Sequence, residues 1–476
     1  MSFNSLPFLL FFPIVLAVYY LMPKRWCSVW LLAASYCFYA AFIPAFLLLL
    51  LTSTLVDYVA GRAMTAPATP RQKRGWLIAS LLVNLGLLCA FKYGGLLVYT
   101  VEQVAALLSG EGGSATALAS VVVPIGISFY TFQTLGYVID VYRGDVRGES
   151  NLVRFALYVA YFPQLVAGPI ERAKRLIPQL AERKVFESAQ LMDGLQLMAW
   201  GFFKKLVIAD RAALLVEPAF SRPESVGTMQ VLLGLYAFAI QIYADFSGYT
   251  DIARGASRCL GIELCINFKR PYSADSLRDF WRRWHISLST WFRDYLYVPL
   301  GGSRKGLMRQ CLAIIVVFLI GGLWHGASWM FVLWGAVHAA LLVAEAVAGH
   351  LFRPHAVSSW WVRLCRQCVV FHLVTLAWIP FRATSLDEAG AIWRALWGAG
   401  ASVPQYAPVL GWPGFTVLGL SLVAMLLIER VAENPHWAQR IQRGRGWQQW
   451  CLLCLLGAVV FLFGVTETRT FIYFQF

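Results

Sequence analysis

Charged side chains are scarce in this chain, and several long stretches contain none. Only 14% of the 476 residues are Asp, Glu, Lys or Arg, and 59% are hydrophobic, whereas soluble domains carry about 25% charged residues. A helix needs about 20 apolar residues to cross a bilayer. The composition excludes a soluble globular protein and predicts a polytopic membrane protein, with its main uncharged runs at 6–22, 26–56, 114–139, 225–244, 310–344, 395–428 and 446–466.

The period-2 alternation of strands is also missing, as are repeats and low-complexity tracts. Because lipid permits only helices or closed barrels, we expect an all-α protein. Counting shorter runs such as 76–91, 155–170 and 367–381, we predict about 11 to 13 transmembrane helices. Polar interruptions such as 63–74 and 173–184 are too short for another domain, so residues 1–476 are predicted to form a single membrane domain.

The amino terminus has no basic segment before its first apolar run and no small-residue cleavage site after it, so we expect a retained first span. The net charge of +15 is concentrated in connecting segments, which the positive-inside rule places in the cytoplasm. Contact with anionic membrane lipids is favoured over nucleic-acid binding, so no nucleic-acid partner is expected. These segments are 71–74, 172–184, 269–283, 304–309 and 440–445.

Two common kinds of reactive site are missing as well. The ten cysteines form no disulfide framework, and neither Cys365–Cys368 nor Cys451–Cys454 is followed by a second ligand pair at zinc spacing. We therefore predict no metal. No Gly-x-Ser-x-Gly elbow is present, since Phe-Ser-Gly-Tyr at 246–249 departs from that pattern, and an acyl-serine intermediate is not expected.

One histidine stands out against this uncharged background. His325 lies within Gly-Gly-Leu-Trp-His-Gly-Ala-Ser (321–328), near the middle of the run 310–344. An imidazole exchanges protons near physiological pH, and an ionisable residue at membrane depth favours a functional role. The alternative is a packing histidine bonded to a backbone carbonyl.

The polar segment 267–304 predicts an amphipathic helix beside the membrane. Ser273, Asp275 and Ser276 offer amino-terminal caps, and Pro299 with the glycines at 301–302 ends the segment. On this pattern alone, His285 would be one more polar-face residue. The apolar stripe comprises Phe280, Trp284, Leu288 and Trp291, and the arginines in other directions are Arg278, Arg282, Arg283 and Arg293.

Two blocks in this order resemble the paired signature of the membrane-bound O-acyltransferase family. The first, Asp-Phe-Trp-Arg-Arg-Trp-His and its continuation to Tyr295, contains His285; the second is Gly-Gly-Leu-Trp-His-Gly-Ala around His325. The signature region is about 267–345, and the chain most resembles the bacterial polysaccharide O-acetyltransferase branch. Further similarities extend the resemblance over nearly the whole chain, at 124–132, 137–144, 162–170, 245–251 and 471–476.

The resemblance implies a ring of helices around a central tunnel, with amphipathic and re-entrant helices. In that tunnel a cytoplasmic acyl donor meets an acceptor from the other face. The 35-residue run 310–344 is short for two full spans. We expect Gly321, Gly322 and Gly326 to break the helix there, which would place His325 at a buried helix end rather than against lipid.

The resemblance also implies catalytic roles. Transfer of an acetyl group from a thioester to a hydroxyl needs a base, donors for the oxyanion and an acid for the leaving thiol. His325 corresponds to the family's catalytic residue and is expected to be the general base. His285 is expected to position substrate or stabilise the oxyanion, and Trp324, Arg282 and Ser328 are candidates for substrate binding or tunnel lining.

Asp245 and Asp251 flank a polar segment at the end of the run 225–244. A carboxylate at membrane depth costs about 2.5 to 3.5 kcal/mol on insertion scales, which calls for a polar cavity or a partner such as Arg254. Structural ion pairing and substrate binding remain equally open for both. Asp140, Arg143 and Glu171 are interpreted as structural, because Gly144, Gly168 and Pro169 mark helix ends.

By resemblance, the expected function is polysaccharide O-acetylation from the bacterial inner membrane, with alginate or cellulose as the leading polymers. Acetyl-CoA is the expected donor substrate, and no permanently bound cofactor is expected. A periplasmic SGNH-hydrolase-like acetyltransferase and a polysaccharide synthase and export complex are the expected partners.

Two other functions remain open. A transporter of polysaccharide or lipid-linked sugar would also have many spans and buried charges, but it gives no reason for the two histidine motifs. D-alanyl transfer to teichoic acid, by a related branch of the family, is the second. The segment 295–305 more closely resembles the acetyltransferase branch.

Overall fold

The computed structural model describes residues 1–109, 123–182, 184–352, 359–398, 410–433, 446–465 and 469–474. Within them every extended regular element is helical, which confirms the all-α prediction. The helices are α1 (Leu6–Leu21), α2 (Lys24–Ala40), α3 (Phe46–Thr65), α4 (Pro70–Leu88), α5 (Gly94–Ser109), α6 (Ile127–Arg143), α7 (Leu152–Ala160), α8 (Phe162–Leu165), α9 (Ala173–Ala181), α10 (Ser188–Phe202), α11 (Asp210–Ser221), α12 (Thr228–Cys259), α13 (Leu277–Arg283), α14 (Ile286–Phe292), α15 (Leu307–His325), α16 (Trp329–Phe352), α17 (Trp360–Arg382), α18 (Leu386–Leu396), α19 (Trp412–Ala432) and α20 (Gly446–Phe463).

Eight helical stretches in the described part of the chain are long and apolar enough to cross a membrane. They confirm a multi-pass membrane protein, although they number fewer than the 11 to 13 spans predicted. Parts of the predicted runs 114–139 and 395–428, and the basic segment 440–445, lie outside the described residues. The eight are 46–65, 70–106, 228–259, 307–325, 329–352, 360–382, 412–432 and 446–463.

The chain divides into two compact units, and the single-domain prediction stays a prediction. The first unit comprises 1–191, 256–265 and 326–328. In it a buried carboxylate, Asp57 on α3, accepts hydrogen bonds from Ser80 Oγ (2.5 Å) and Asn84 Nδ2 (2.9 Å) on α4. Hydrogen bonds of this kind hold helices together where lipid offers no alternative partner.

The second unit comprises 192–255, 266–325 and 329–476, and close backbone contact between helices shapes it. A π-helical turn, Phe203–Ala209, joins α10 to α11. A Cβ added to Gly201 would lie 2.6 Å from the carbonyl oxygen of Gly248 on α12, and one added to Gly248 would lie 2.8 Å from that of Gly201. Glycine at both positions therefore lets these backbones approach.

The paired helices α15 and α16 carry the region around His325. The helix ends at His325, as predicted, and α16 begins at Trp329. The prediction that Gly321 and Gly322 break the helix is wrong, because both lie inside α15. A Cβ on Gly322 would lie 2.2 Å from the Phe331 carbonyl oxygen, so this glycine serves close packing instead.

The segment predicted to be one amphipathic helix is broken in its middle. α13 ends at Arg283, and α14 begins after His285, whose φ of 42° is left-handed. Of the predicted caps, Ser276 is the one that accepts from the Asp279 amide, at 3.1 Å. The predicted apolar stripe is buried throughout, from Phe280 to Trp291. The periodicity thus located the buried face but not the break.

Candidate active site

His325 terminates α15 in an aromatic surround. Its side chain is buried, and its ring centroid lies 4.9 Å from that of Trp334, 5.5 Å from Phe381 and 5.7 Å from Tyr473. Aromatic walls exclude bulk water, which strengthens electrostatic effects on a reacting group. This position would suit a proton-transfer residue if substrates can reach it.

A cavity of about 490 Å³ in the second unit reaches His325. Its volume lies in the range of roughly 300 to 1,000 Å³ typical of small-molecule sites. Trp281, Trp334 and Phe318 provide apolar walls, and Ser289 and Thr290 contribute hydroxyl groups. His325 therefore lines a cavity that is large enough for the reactive end of a substrate.

Three arginines line the same cavity. Arg278 and Arg293 have side chains that are 54% and 60% exposed, and Arg282 is exposed as well. Exposed residues in a cavity lining mark where the cavity opens. Arg278 lies 3.9 Å from Glu345, and Arg293 lies 2.8 Å from Asp294. Guanidinium groups also bind phosphate oxygens in bidentate geometry, so an opening with three arginines suits an anionic ligand.

His285 occupies a different environment. It is fully buried, and its Nδ1 lies 3.2 Å from Asn267 Oδ1, which also accepts from the amide of Ser287. The two helices that flank His285, α13 and α14, have seven residues each and are too short to span a membrane. Burial lowers the pKa of His285 to about 3. The imidazole is therefore neutral at physiological pH, and it does not line the cavity that reaches His325.

Trp324 lies between the two histidines. Its ring centroid is 5.7 Å from that of His285 and 5.0 Å from that of His325, in edge-to-face arrangements on both sides. The indole is buried and does not line the cavity. Trp324 therefore provides one direct packing contact between His285 and His325.

Asp245 and Asp251, for which the sequence left ion pairing and substrate binding equally open, both form ion pairs. Asp251 contacts Lys204 at 2.5 Å and Arg254 at 3.1 Å, so the predicted Arg254 partner is confirmed. Asp245 is buried and contacts Lys205 at 2.9 Å. Neither aspartate lines the His325 cavity.

The two other predicted substrate-binding residues, Arg282 and Ser328, differ in whether they line the His325 cavity. Arg282 lines the cavity, whereas Ser328 does not and belongs to the first unit. Glu171, interpreted as structural, is buried in the first unit and accepts a hydrogen bond from the amide of Cys265. Arg143 ends α6, and Gly144 follows it with a left-handed φ of 81°.

Sequence reasoning missed three residues near this site. Lys205 pairs with Asp245, Asp210 also contacts Lys205, and Tyr473 packs on His325. The adjacent lysines at 204–205 in the apolar stretch 195–209 were a usable signal, because buried ammonium groups need carboxylate partners. Tyr473 lies in the segment 471–476 that resembles the family, but that resemblance did not indicate a contact with His325.

Comparisons with known proteins show which family the chain is similar to. A model of the membrane-bound O-acyltransferase family matches residues 145–379. The chain is 39% identical over 403 residues to a probable alginate O-acetylase of Pseudomonas aeruginosa, covering 84% of this chain and 75% of that protein.

Two more distant relatives widen the range of acceptors. A peptidoglycan O-acetyltransferase of Helicobacter pylori is 31% identical over 440 residues, covering 87% of this chain and 79% of that protein. A teichoic acid D-alanyltransferase of Bacillus subtilis is 27% identical over 273 residues, covering 54% of this chain and 68% of that protein. The three names describe O-acetylation of alginate, O-acetyl transfer to peptidoglycan and D-alanyl transfer to teichoic acid.

Proposed function

Because the chain belongs to the membrane-bound O-acyltransferase family and is therefore an O-acyltransferase, we propose that it transfers acetyl groups from acetyl-CoA for O-acetylation of an exported polysaccharide. The donor is a cytoplasmic thioester, and the enzyme lies in the bacterial inner membrane. Family membership favours this function over that of a sugar transporter.

The observation that carries the proposal is the placement of His325 inside a cavity whose opening is lined by arginines. Acetyl-CoA is a polyanion whose reactive thioester lies at the end of a long arm. Arg278, Arg282 and Arg293 would bind its phosphate groups, while the arm extends into the cavity toward the imidazole.

The chemistry needs one proton acceptor that can return its proton. His325 takes the proton from the attacking hydroxyl as the new C–O bond forms at the acetyl carbon. When the C–S bond breaks, His325 gives that proton to the departing thiolate, so the products are an ester and a thiol. General acid–base help of this kind contributes about 10²- to 10⁴-fold.

The polymer is inferred from the relatives. The relative that is 39% identical is named for alginate, and the one that is 31% identical is named for peptidoglycan. A polysaccharide is therefore the proposed final acceptor, with alginate or cellulose as candidates. The proposed partners are a periplasmic SGNH-hydrolase-like acetyltransferase, which passes the acetyl group to the glycan, and a polysaccharide synthase and export complex. D-alanyl transfer is the second candidate, and the shorter, 27% identical match favours it less.

The test uses the full-length protein in lipid nanodiscs with radiolabelled acetyl-CoA. We expect wild-type protein to consume the thioester when oligosaccharide and periplasmic partner are supplied, and His325→Ala to lose this activity. His350→Ala is the matched control, because His350 is exposed at the end of α16.

Full activity in a correctly folded His325→Ala protein would reject the mechanism. Alginate and cellulose oligomers are assayed in parallel to identify the polymer. Transfer from a D-alanyl carrier protein, without transfer from acetyl-CoA, would instead support the second candidate.

A further inference from the structure

We propose that Asp245 is a positioning residue that holds the terminal segment 471–473 against the catalytic histidine. Only the kinetic arm of its test depends on the proposed function. The basis is a buried ion cluster formed by Lys205, Asp210 and Asp245, none of which lines the His325 cavity.

The terminal segment forms part of the surround of His325. The Tyr473 ring lies 5.7 Å from the His325 ring and 4.3 Å from that of Phe246. Phe471 stacks on Tyr249 at 4.4 Å. These contacts place two aromatic side chains from the end of the chain in the core of the second unit.

A backbone hydrogen bond ties this segment to α12. The amide of Ile472, between the two aromatic residues, donates to Asp245 Oδ2 at 2.8 Å. Both residues are buried. A hydrogen bond to an ionised acceptor is shorter and stronger than a neutral one, and it fixes the backbone next to Tyr473.

Lys205 allows the carboxylate to be buried and sets its orientation. Its ammonium group lies 2.9 Å from Asp245 Oδ1 and 2.9 Å from Asp210 Oδ1, and all three side chains are at most 7% exposed. Since Lys205 contacts Oδ1 of Asp245, Oδ2 is left to face the Ile472 amide. The sequence of contacts runs from Lys205 through Asp245 and Ile472 to Tyr473 and His325.

The neighbouring ion pair provides an internal comparison. Lys204 and Asp251 join the same two helical segments as Lys205 and Asp245, 2.5 Å apart. Asp251 is bonded by Lys204 and Arg254 rather than by the terminal segment. Loss of either pair removes a buried ion contact, but only loss of the Asp245 pair releases residue 472.

The first measurement needs no activity. Hydrogen–deuterium exchange of the carboxyl-terminal peptide should speed up in Asp245→Leu and remain near wild type in Lys204→Met. Asp245→Asn keeps an oxygen acceptor for the Ile472 amide, so its exchange should lie between the two. It also keeps the test open if Asp245→Leu does not fold.

The second measurement is kinetic. We expect Asp245→Leu to lower kcat by roughly 10- to 100-fold, as for a misplaced catalytic group, while KM for acetyl-CoA changes little because the arginines are untouched. Asp245→Asn should recover part of the loss. Combined with Tyr473→Ala, Asp245→Leu should add no further loss, because both changes act through the same ring.

Unchanged exchange of the terminal peptide in a folded Asp245→Leu or Asp245→Asn protein would overturn the proposal. The proposal would also be overturned if the fold-losses in kcat of Asp245→Leu and Tyr473→Ala multiplied fully in the double variant. Absence of acetyl transfer in wild type would count against the proposed function alone, and the exchange measurement would still decide the positioning role.

Discussion

The two histidines of the signature region are the same residue type in opposite settings. His325 closes a helix at the wall of a cavity, with arginines at the opening. His285 is sealed among aromatic rings, with a left-handed backbone and an asparagine partner. Access to a cavity, rather than proximity in a motif, therefore separates a residue that can meet substrate from one that can act through its neighbours.

The largest expected effect is on kcat, and it distinguishes His325 from His285. His325→Gln should lower kcat by about 10²- to 10⁴-fold, the usual contribution of a general acid–base group, with little change in thermal stability. His285→Asn should lower kcat less and thermal stability more, because the His285 ring is fully buried among aromatic side chains. Steady-state kinetics and melting curves on both variants check this. Equal losses of kcat would contradict the different roles assigned to His325 and His285.

A second test moves the helix that carries His325. Gly322→Ala places a methyl group against the Phe331 carbonyl, so α15 and α16 must separate. Overpacking of this kind costs about 1 to 3 kcal/mol. Gly349→Ala on α16 is the matched control, since nothing lies within 4 Å of its added Cβ. Similar melting temperatures for the two variants would contradict the role assigned to Gly322.

A third test concerns the cavity opening. Arg282→Ala should raise KM for acetyl-CoA roughly tenfold through loss of a charge-assisted contact, with kcat nearly unchanged. The rise should shrink at high salt, because exposed charges are screened. Arg304→Ala removes a guanidinium that does not line the cavity and should leave KM as in wild type. A fall in kcat alone would place Arg282 elsewhere in the reaction.

The smallest expected effect is a pH dependence of stability. Burial lowers the pKa of His285 to about 3, whereas an unfolded histidine titrates near pH 6.5. The unfolded state therefore takes up a proton as the pH falls below about 6.5 and the folded state does not, so stability is lost on acidification. The fall in melting temperature between pH 7 and 5 should be smaller in His285→Asn. An equal fall in melting temperature in wild type and His285→Asn would show that other titratable groups govern the loss of stability.

The sequence predicted the helical class and the helix end at His325, because charge content and a Trp-His-Gly in an uncharged run are local signals. It did not predict the break at His285, since the apolar stripe continues on both sides of it. Arg254 was found as the partner of Asp251 because it lies three residues away. Lys205 was not found for Asp245, because that pairing depends on how two separate helices pack.

The left-handed backbone at His285 affects how substitutions there must be interpreted. A non-glycine residue in this conformation costs about 1 kcal/mol or more, and asparagine tolerates it better than alanine or leucine. An alanine at this position would change the side chain and the local backbone preference together. Asparagine is therefore the informative replacement, and glycine would report the relief of the strain itself.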